Sequence, residues 1–143
     1  MKTSHTPGAG LQAQCLCGAV TLRFPDGEHS MSACHCNTCR RWTGGPFMAV
    51  EYHAAPEVEG WESVRIYASS KWAERGFCLH CGTHLFYRLR ADEFYSLPAG
   101  LFAESAHWPF DLEVFIDEKP DNYQFANDTR KLTGEEVFKN WSP

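Results

Sequence analysis

Apolar and polar positions alternate in several short stretches of this 143-residue chain. Ala19 to Phe24 alternates as a half-buried strand does. Phe47 to Tyr52, Val64 to Tyr67, Leu85 to Leu89, Phe94 to Leu97 and Glu113 to Ile116 are further short runs of β-branched and aromatic residues, and each predicts a strand. Turn formers separate them: Pro25-Asp26-Gly27, Gly44-Gly45-Pro46, Gly82 and Pro98-Ala99-Gly100. Many short strands without an alternating helical pattern predict a sandwich, barrel or folded-over sheet and exclude a βαβ architecture. Two short helices break the pattern. Asn37 to Thr43 is the first, and it would set Cys36 and Cys39 on adjacent faces of one turn. Thr133 caps the second through Glu136, a capping box followed by Val137, Phe138 and Trp141. No repeat, low-complexity tract or linker divides the chain. Residues 1–10 read as a flexible tail and residues 11–143 as a single domain.

Composition narrows the class. Hydrophobic residues make up 43% and charged residues 22%, the balance of a soluble globular protein. No apolar run is long enough to span a membrane, and Met1 to Gly10 lacks the apolar core of a secretory signal, so a cytoplasmic protein is expected. The net charge of −5 argues against binding nucleic acid or anionic lipid.

The seven cysteines change the picture most. They fall in three clusters: Cys15-Leu16-Cys17, Cys34-His35-Cys36-Asn37-Thr38-Cys39 and Cys78-Leu79-His80-Cys81. An odd number cannot pair completely within one chain, and closely spaced cysteines meet disulfide geometry poorly. Thiolate-rich sites of this kind hold zinc or an iron–sulfur centre, and no ferredoxin spacing occurs here, so zinc is the expected metal. Seven thiols divide naturally into four and three. Cys15/Cys17 with Cys78/Cys81 would staple distant parts of the chain, leaving Cys34, Cys36 and Cys39 to wrap a second ion. Spacing leaves another partition open, in which His35, His80 or His84 supplies an eighth ligand. A four-ligand site is closed and structural, whereas a three-ligand site keeps a position for water or substrate.

The order of these clusters, with Tyr67-Ala68-Ser69-Ser70, Arg75, Gly82-Thr83-His84-Leu85 and Glu118-Lys119-Pro120, resembles the glutathione-dependent formaldehyde-activating enzyme family, whose domain is shared with centromere protein V. The resemblance covers about Leu11 to Tyr123. It implies a mainly β fold, a β-tent of two antiparallel sheet layers stapled by zinc, with short helices. It also implies two zinc ions per chain: a structural one on Cys15, Cys17, Cys78 and Cys81, and a catalytic one on Cys34, Cys36 and Cys39. The implied activity is that of a carbon–sulfur lyase, an S-(hydroxymethyl)glutathione synthase-like enzyme whose partners are a small thiol and an aldehyde.

Zinc with three thiolates carries a net negative charge, which is costly in a dry pocket without a cation nearby. Arg40 and Arg41, directly after Cys39, are the expected cations, with Lys71 a weaker candidate. Arg40, Arg41 and Trp42 are accordingly the candidate substrate-binding residues. His35 is expected to face solvent, the alternative being a part in proton transfer, and Glu74 with Arg75 to belong at most to a polar rim. Gly82 supplies the positive φ of a metal-binding turn, and Gly44-Gly45-Pro46 forms a loop near the open site. Most of the aromatic residues are expected in the core or in cross-strand pairs. The alternative to an enzyme is a non-catalytic, zinc-stabilised interaction module with both metals structural. A protein side chain as fourth ligand on Cys34/Cys36/Cys39 would favour the module.

Overall fold

A computed structural model describes residues 10–140 apart from positions 26 and 28. Most of the expected tail, the turn residue Asp26 and the helix residue Trp141 lie outside the described residues. Gly10, counted with the tail, is buried at φ +86° against the backbone of Phe24.

The first half of the chain forms β1 (Leu11–Gln14), β2 (Thr21–Phe24), β3 (Met31–Cys34), α1 (Asn37–Thr43), β4 (Phe47–Tyr52), β5 (Glu57–Glu59) and β6 (Val64–Ala68). The second half forms β7 (Ala73–Cys78), β8 (His84–Leu89), β9 (Tyr95–Pro98), β10 (Phe110–Val114), β11 (Arg130–Leu132) and α2 (Gly134–Asn140). A three-stranded sheet has the order β1-β2-β5, and an eight-stranded sheet has the order β11-β10-β3-β4-β9-β8-β7-β6. Mainly β, two sheets and two short helices is the architecture expected.

Pairing is antiparallel except at one end of the large sheet, where β10 runs parallel to both β3 and β11. The layers are therefore not purely antiparallel. Parallel neighbours need a long crossover, and residues 35–109 provide one between β3 and β10. β10 also starts and stops earlier than the sequence predicts. Phe115 adopts φ +55° and ψ +44°, a left-handed conformation that ends the strand.

Five strands carried no clear periodic signal: β1, β3, β5, β7 and β11. β7 is instructive, because Glu74, Arg75 and Gly76 are poor strand formers by propensity. It is held from both sides, by β6 and by β8. Gly76 is required there, since a Cβ would lie 2.4 Å from the Phe86 ring.

Side-chain alternation gives the large sheet two working faces. Val50 and Tyr52 of β4, Phe86 of β8 and Leu97 of β9 turn toward the small sheet. There they meet Val20, Leu22, Phe24 and Phe102 in the main core, where Phe24 stacks on Tyr52 at 4.0 Å. The opposite face carries Phe47 and Ala49 of β4, Arg75 of β7 and Tyr87 of β8, and on this face the three-cysteine cluster sits.

Both helices form for local reasons. α1 begins with Cys36 as N-cap, its Sγ accepting from the Cys39 N–H at 3.3 Å, and ends at Gly44 with φ +86°. α2 carries the expected capping box: the Thr133 N–H donates to Glu136 Oε1 at 2.8 Å, and the Glu136 N–H to Thr133 Oγ1 at 3.2 Å.

Candidate metal centres and the adjoining cavity

Two groups of thiols converge, each with all sulfurs within 4.8 Å of one another: Cys15, Cys17, Cys78 and Cys81, and separately Cys34, Cys36 and Cys39. The first group is built from two turns. Gly18 follows one cysteine pair at φ +81° and Gly82 follows the other at φ +75°. The Gly18 N–H returns to the Cys15 carbonyl at 3.1 Å, and the Gly82 N–H to that of Cys78 at 2.9 Å. Cys15 closes β1 of the small sheet and Cys78 ends β7 of the large one, so the cluster ties the two sheets together. Sγ–Sγ separations of 3.7 Å, from Cys17 to both Cys15 and Cys78, suit a tetrahedral ion. With metal–sulfur bonds of about 2.3 Å, the edge of a zinc tetrathiolate is about 3.8 Å. The Val20 N–H points at Cys15 Sγ at 3.3 Å, and hydrogen bonds from Thr83 hold the Cys81 thiol down at about 5. This donor set fits zinc.

The second group is brought together by one strand end and one helix start. Cys34 is the last residue of β3, Cys36 caps α1 and Cys39 lies in its first turn. Hydrogen bonds with Cys34 and Cys39 lower the Cys36 thiol, whereas bonds with Cys36 and Cys39, together with burial, raise that of Cys34. Soft, closely spaced donors fit a thiophilic metal.

The cation at this cluster is Arg75, a residue the sequence reading left at a rim. It is 5% exposed, and its two terminal nitrogens lie 3.8 and 3.7 Å from Cys39 Sγ. The guanidinium is sandwiched between the rings of Trp42 at 4.8 Å and Tyr87 at 5.0 Å. Trp42 in turn stacks on His84 at 4.2 Å. Nε of Arg75 is buried without a hydrogen-bond partner among the described residues, so stacking and the contacts with Cys39 hold the group in place. Arg40 turns away, its Nε donating to the His35 carbonyl at 2.8 Å, while Arg41 and Lys71 are exposed. None of Arg40, Arg41, Trp42 and Lys71 lines the cavity described below. Trp42 stands beside the cluster, packed against Phe47 at 5.6 Å and under the Arg75 guanidinium.

His35 departs furthest from expectation. It is fully buried, with Nε2 2.8 Å from Glu113 Oε1 and Nδ1 2.6 Å from the Tyr123 hydroxyl. The reason is alternation: when Cys34 and Cys36 face one side of an extended segment, the residue between them faces the other. Glu113 also accepts from Thr129 and lies 3.8 Å from Lys131 Nζ. Burial alone would raise its carboxyl, but the bonds from Thr129 and His35 hold it below the ordinary range. His80 bonds Ser63 and His84 stacks on Trp42, and no histidine belongs to either thiol group among the described residues. Cys-x-Cys spacing alone does not signal this burial, since Leu16 between Cys15 and Cys17 is 89% exposed, and nothing in the sequence points to Glu113 or Tyr123.

A cavity of about 680 Å³ opens on the three-cysteine cluster along this face of the large sheet. Cys34, Cys36, Cys39, Arg75 and Tyr87 form one end, and Phe115 and Phe138 stand on its wall. The Phe115 conformation is costly for a bulky residue, of order 1–3 kcal/mol. Gly134 is pressed against its ring, where a Cβ would come within 2.6 Å, and Phe138 meets it edge-on at 5.8 Å. The Gly44-Gly45-Pro46 loop lies elsewhere: Pro46 lines a shallower groove beside Cys81.

Fold and sites together define a mainly β protein with one four-thiol and one three-thiol cluster, each able to hold a metal ion, the latter facing a cavity. The chain matches the family described as glutathione-dependent formaldehyde-activating enzyme over residues 10–118, and it belongs to that family. A Schizosaccharomyces pombe protein named as an uncharacterized lyase is 43% identical over 129 residues, covering 90% of this chain and 94% of that protein. A crystal structure of a Rhodobacter sphaeroides protein has the same fold, with a TM-score of 0.54 at 22% identity over 69% of this chain and 98% of the other. No helix among the described residues is long and apolar enough to cross a membrane.

Proposed function

We propose that the chain is a zinc-dependent carbon–sulfur lyase that joins a thiol to formaldehyde or a related small carbonyl, glutathione being the thiol in the family's name. The observation that carries this reading is a contrast between the clusters. One has four protein thiols, and the other has three that open on a cavity beside a buried arginine. Cys15, Cys17, Cys78 and Cys81 would hold a structural zinc, and Cys34, Cys36 and Cys39 a catalytic one. Zinc at the second position would supply a Lewis acid that favours the deprotonated form of a thiol at neutral pH. Arg75 balances the negative charge of the three thiolates, and the strand end and helix cap hold their sulfurs in one place. The cavity brings two otherwise dilute reactants together, which lowers the entropic part of the barrier.

Cobalt-substituted protein titrated with glutathione tests the reading. A change in visible absorption, lost in Cys39→Ser, together with formaldehyde turnover that disappears in the same variant, is expected. Full activity in Cys39→Ser would refute a catalytic role for the three-cysteine cluster and favour an interaction module.

A further inference from the structure

The cavity walls bear on which molecule carries the reacting sulfur. Its volume of about 680 Å³ far exceeds what formaldehyde fills. Phe47, Ala49 and Glu51 of β4 lie in a row along it, and Phe47 stands opposite Cys34 in register. Glu51 is four residues further on, roughly 13 Å from that position at the rise of a strand. The space is thus a trough that a ligand several bonds long would span from the thiol end outward.

Beyond the cysteines the lining mixes several serine, threonine and asparagine side chains with a larger apolar wall of Leu89, Phe94, Leu112, Phe115, Leu132 and Phe138. The Phe115 wall is a built feature, since its left-handed backbone and the absence of a Cβ at Gly134 both serve to place that ring. Charge points the same way. Among the described lining residues the carboxylates are Glu51, Asp92 and Glu118, and the strong bases are Arg75 and Arg130. Arg75 is held against Cys39, and Arg130 is exposed to solvent. Glutathione brings two carboxylates and one ammonium, and so a net negative charge, into an acidic and largely apolar space.

Resting on the reading that the three-cysteine cluster activates a thiol, we propose that this cavity selects a thiol with an uncharged apolar body in preference to the tripeptide. The reaction balances without a redox partner. The S–H bond breaks, sulfur donates a pair to form the C–S bond, the carbonyl π pair moves to oxygen, and that oxygen takes the proton.

The test uses the zinc-loaded full chain with formaldehyde and three thiols: benzyl mercaptan, 2-mercaptoethanol and glutathione. The rate above the spontaneous reaction is measured for each. A kcat/KM for benzyl mercaptan at least tenfold above both others is expected. Equal or better use of glutathione overturns the proposal while leaving the lyase reading intact, and equality with 2-mercaptoethanol removes the apolar wall from the argument in the same way. Acceleration with none of the three, and no change in the cobalt spectrum, overturns the lyase reading and this proposal with it. Binding is read separately by calorimetric titration with benzyl methyl sulfide, which has the apolar body without an ionisable thiol. Saturable binding that weakens at least fivefold in Leu112→Asp is expected, and no binding to the wild-type chain overturns the proposal.

Discussion

Replacing Arg75 by methionine keeps most of the side-chain volume and removes the charge beside Cys39. At 3.7 Å, the closer of the two nitrogen–sulfur distances, unit charges attract by about 4 kcal/mol at an effective dielectric of about 20. Some of that is recovered when water or neighbouring dipoles rearrange. Truncating one partner of a buried pair costs about 3–5 kcal/mol, so about 3 kcal/mol is a fair expectation. That corresponds to about a hundredfold loss of metal affinity at Cys34/Cys36/Cys39, with the four-cysteine site unchanged. Competition against a chromophoric zinc chelator resolves the two sites, and a thermal melt of the zinc-loaded variant checks that the fold persists. Arg75→Lys should fall between the two, about tenfold weaker than wild type. Its ammonium keeps the charge but cannot lie flat between Trp42 and Tyr87. If Arg75→Met binds the second zinc within about threefold of wild type, charge compensation by Arg75 is not what stabilises the cluster.

Cys15→Ser should abolish cooperative folding, because the energy of a structural metal site is folding energy, whereas Cys39→Ser should leave a cooperative melt. Circular dichroism melts of the two variants compare them directly, and equal behaviour would contradict the division of roles. Gly76→Ala forces a Cβ to 2.4 Å from the Phe86 ring at the centre of the core. It should destabilise by about 1–3 kcal/mol in chemical denaturation. Glu113 has a carboxyl pKa held below its unfolded value, so its stabilising contribution is full above the unfolded carboxylate pKa and fades as pH falls through the folded one. Glu113→Gln should therefore be less stable than wild type at pH 7, with the gap closing below about pH 4. A gap that stays constant from pH 7 to 3 in paired denaturation curves would show that the ionised form is not the stabilising one.

The thiol clusters of this protein were legible along the chain because cysteines are rare and here closely spaced. Three cysteine clusters in a fixed order pointed to the family, and the four-plus-three division matches the two groups of converging sulfurs. α1 lies where Asn37 to Thr43 predicted it, and the Thr133/Glu136 box caps α2, because capping and short helices are governed by neighbours a few residues apart. β4 matched residue for residue, since its alternate side chains enter either the main core or the cavity. β7 was missed, because its strand state comes from β6 and β8 on either side rather than from its own residues.

What surrounds the thiols was decided only by tertiary structure. Arg40 and Arg41 are adjacent to Cys39 in sequence, yet the cation that reaches it comes from residue 75, four strands across the large sheet from β3. His35 follows Cys34 directly and is buried against Glu113 and Tyr123, 78 and 88 residues away. Ligand type and spacing are local properties and survive in a linear sequence. Charge compensation, the burial of a histidine and the shape of a cavity depend on which distant strands pair, and on which face of the sheet each side chain occupies.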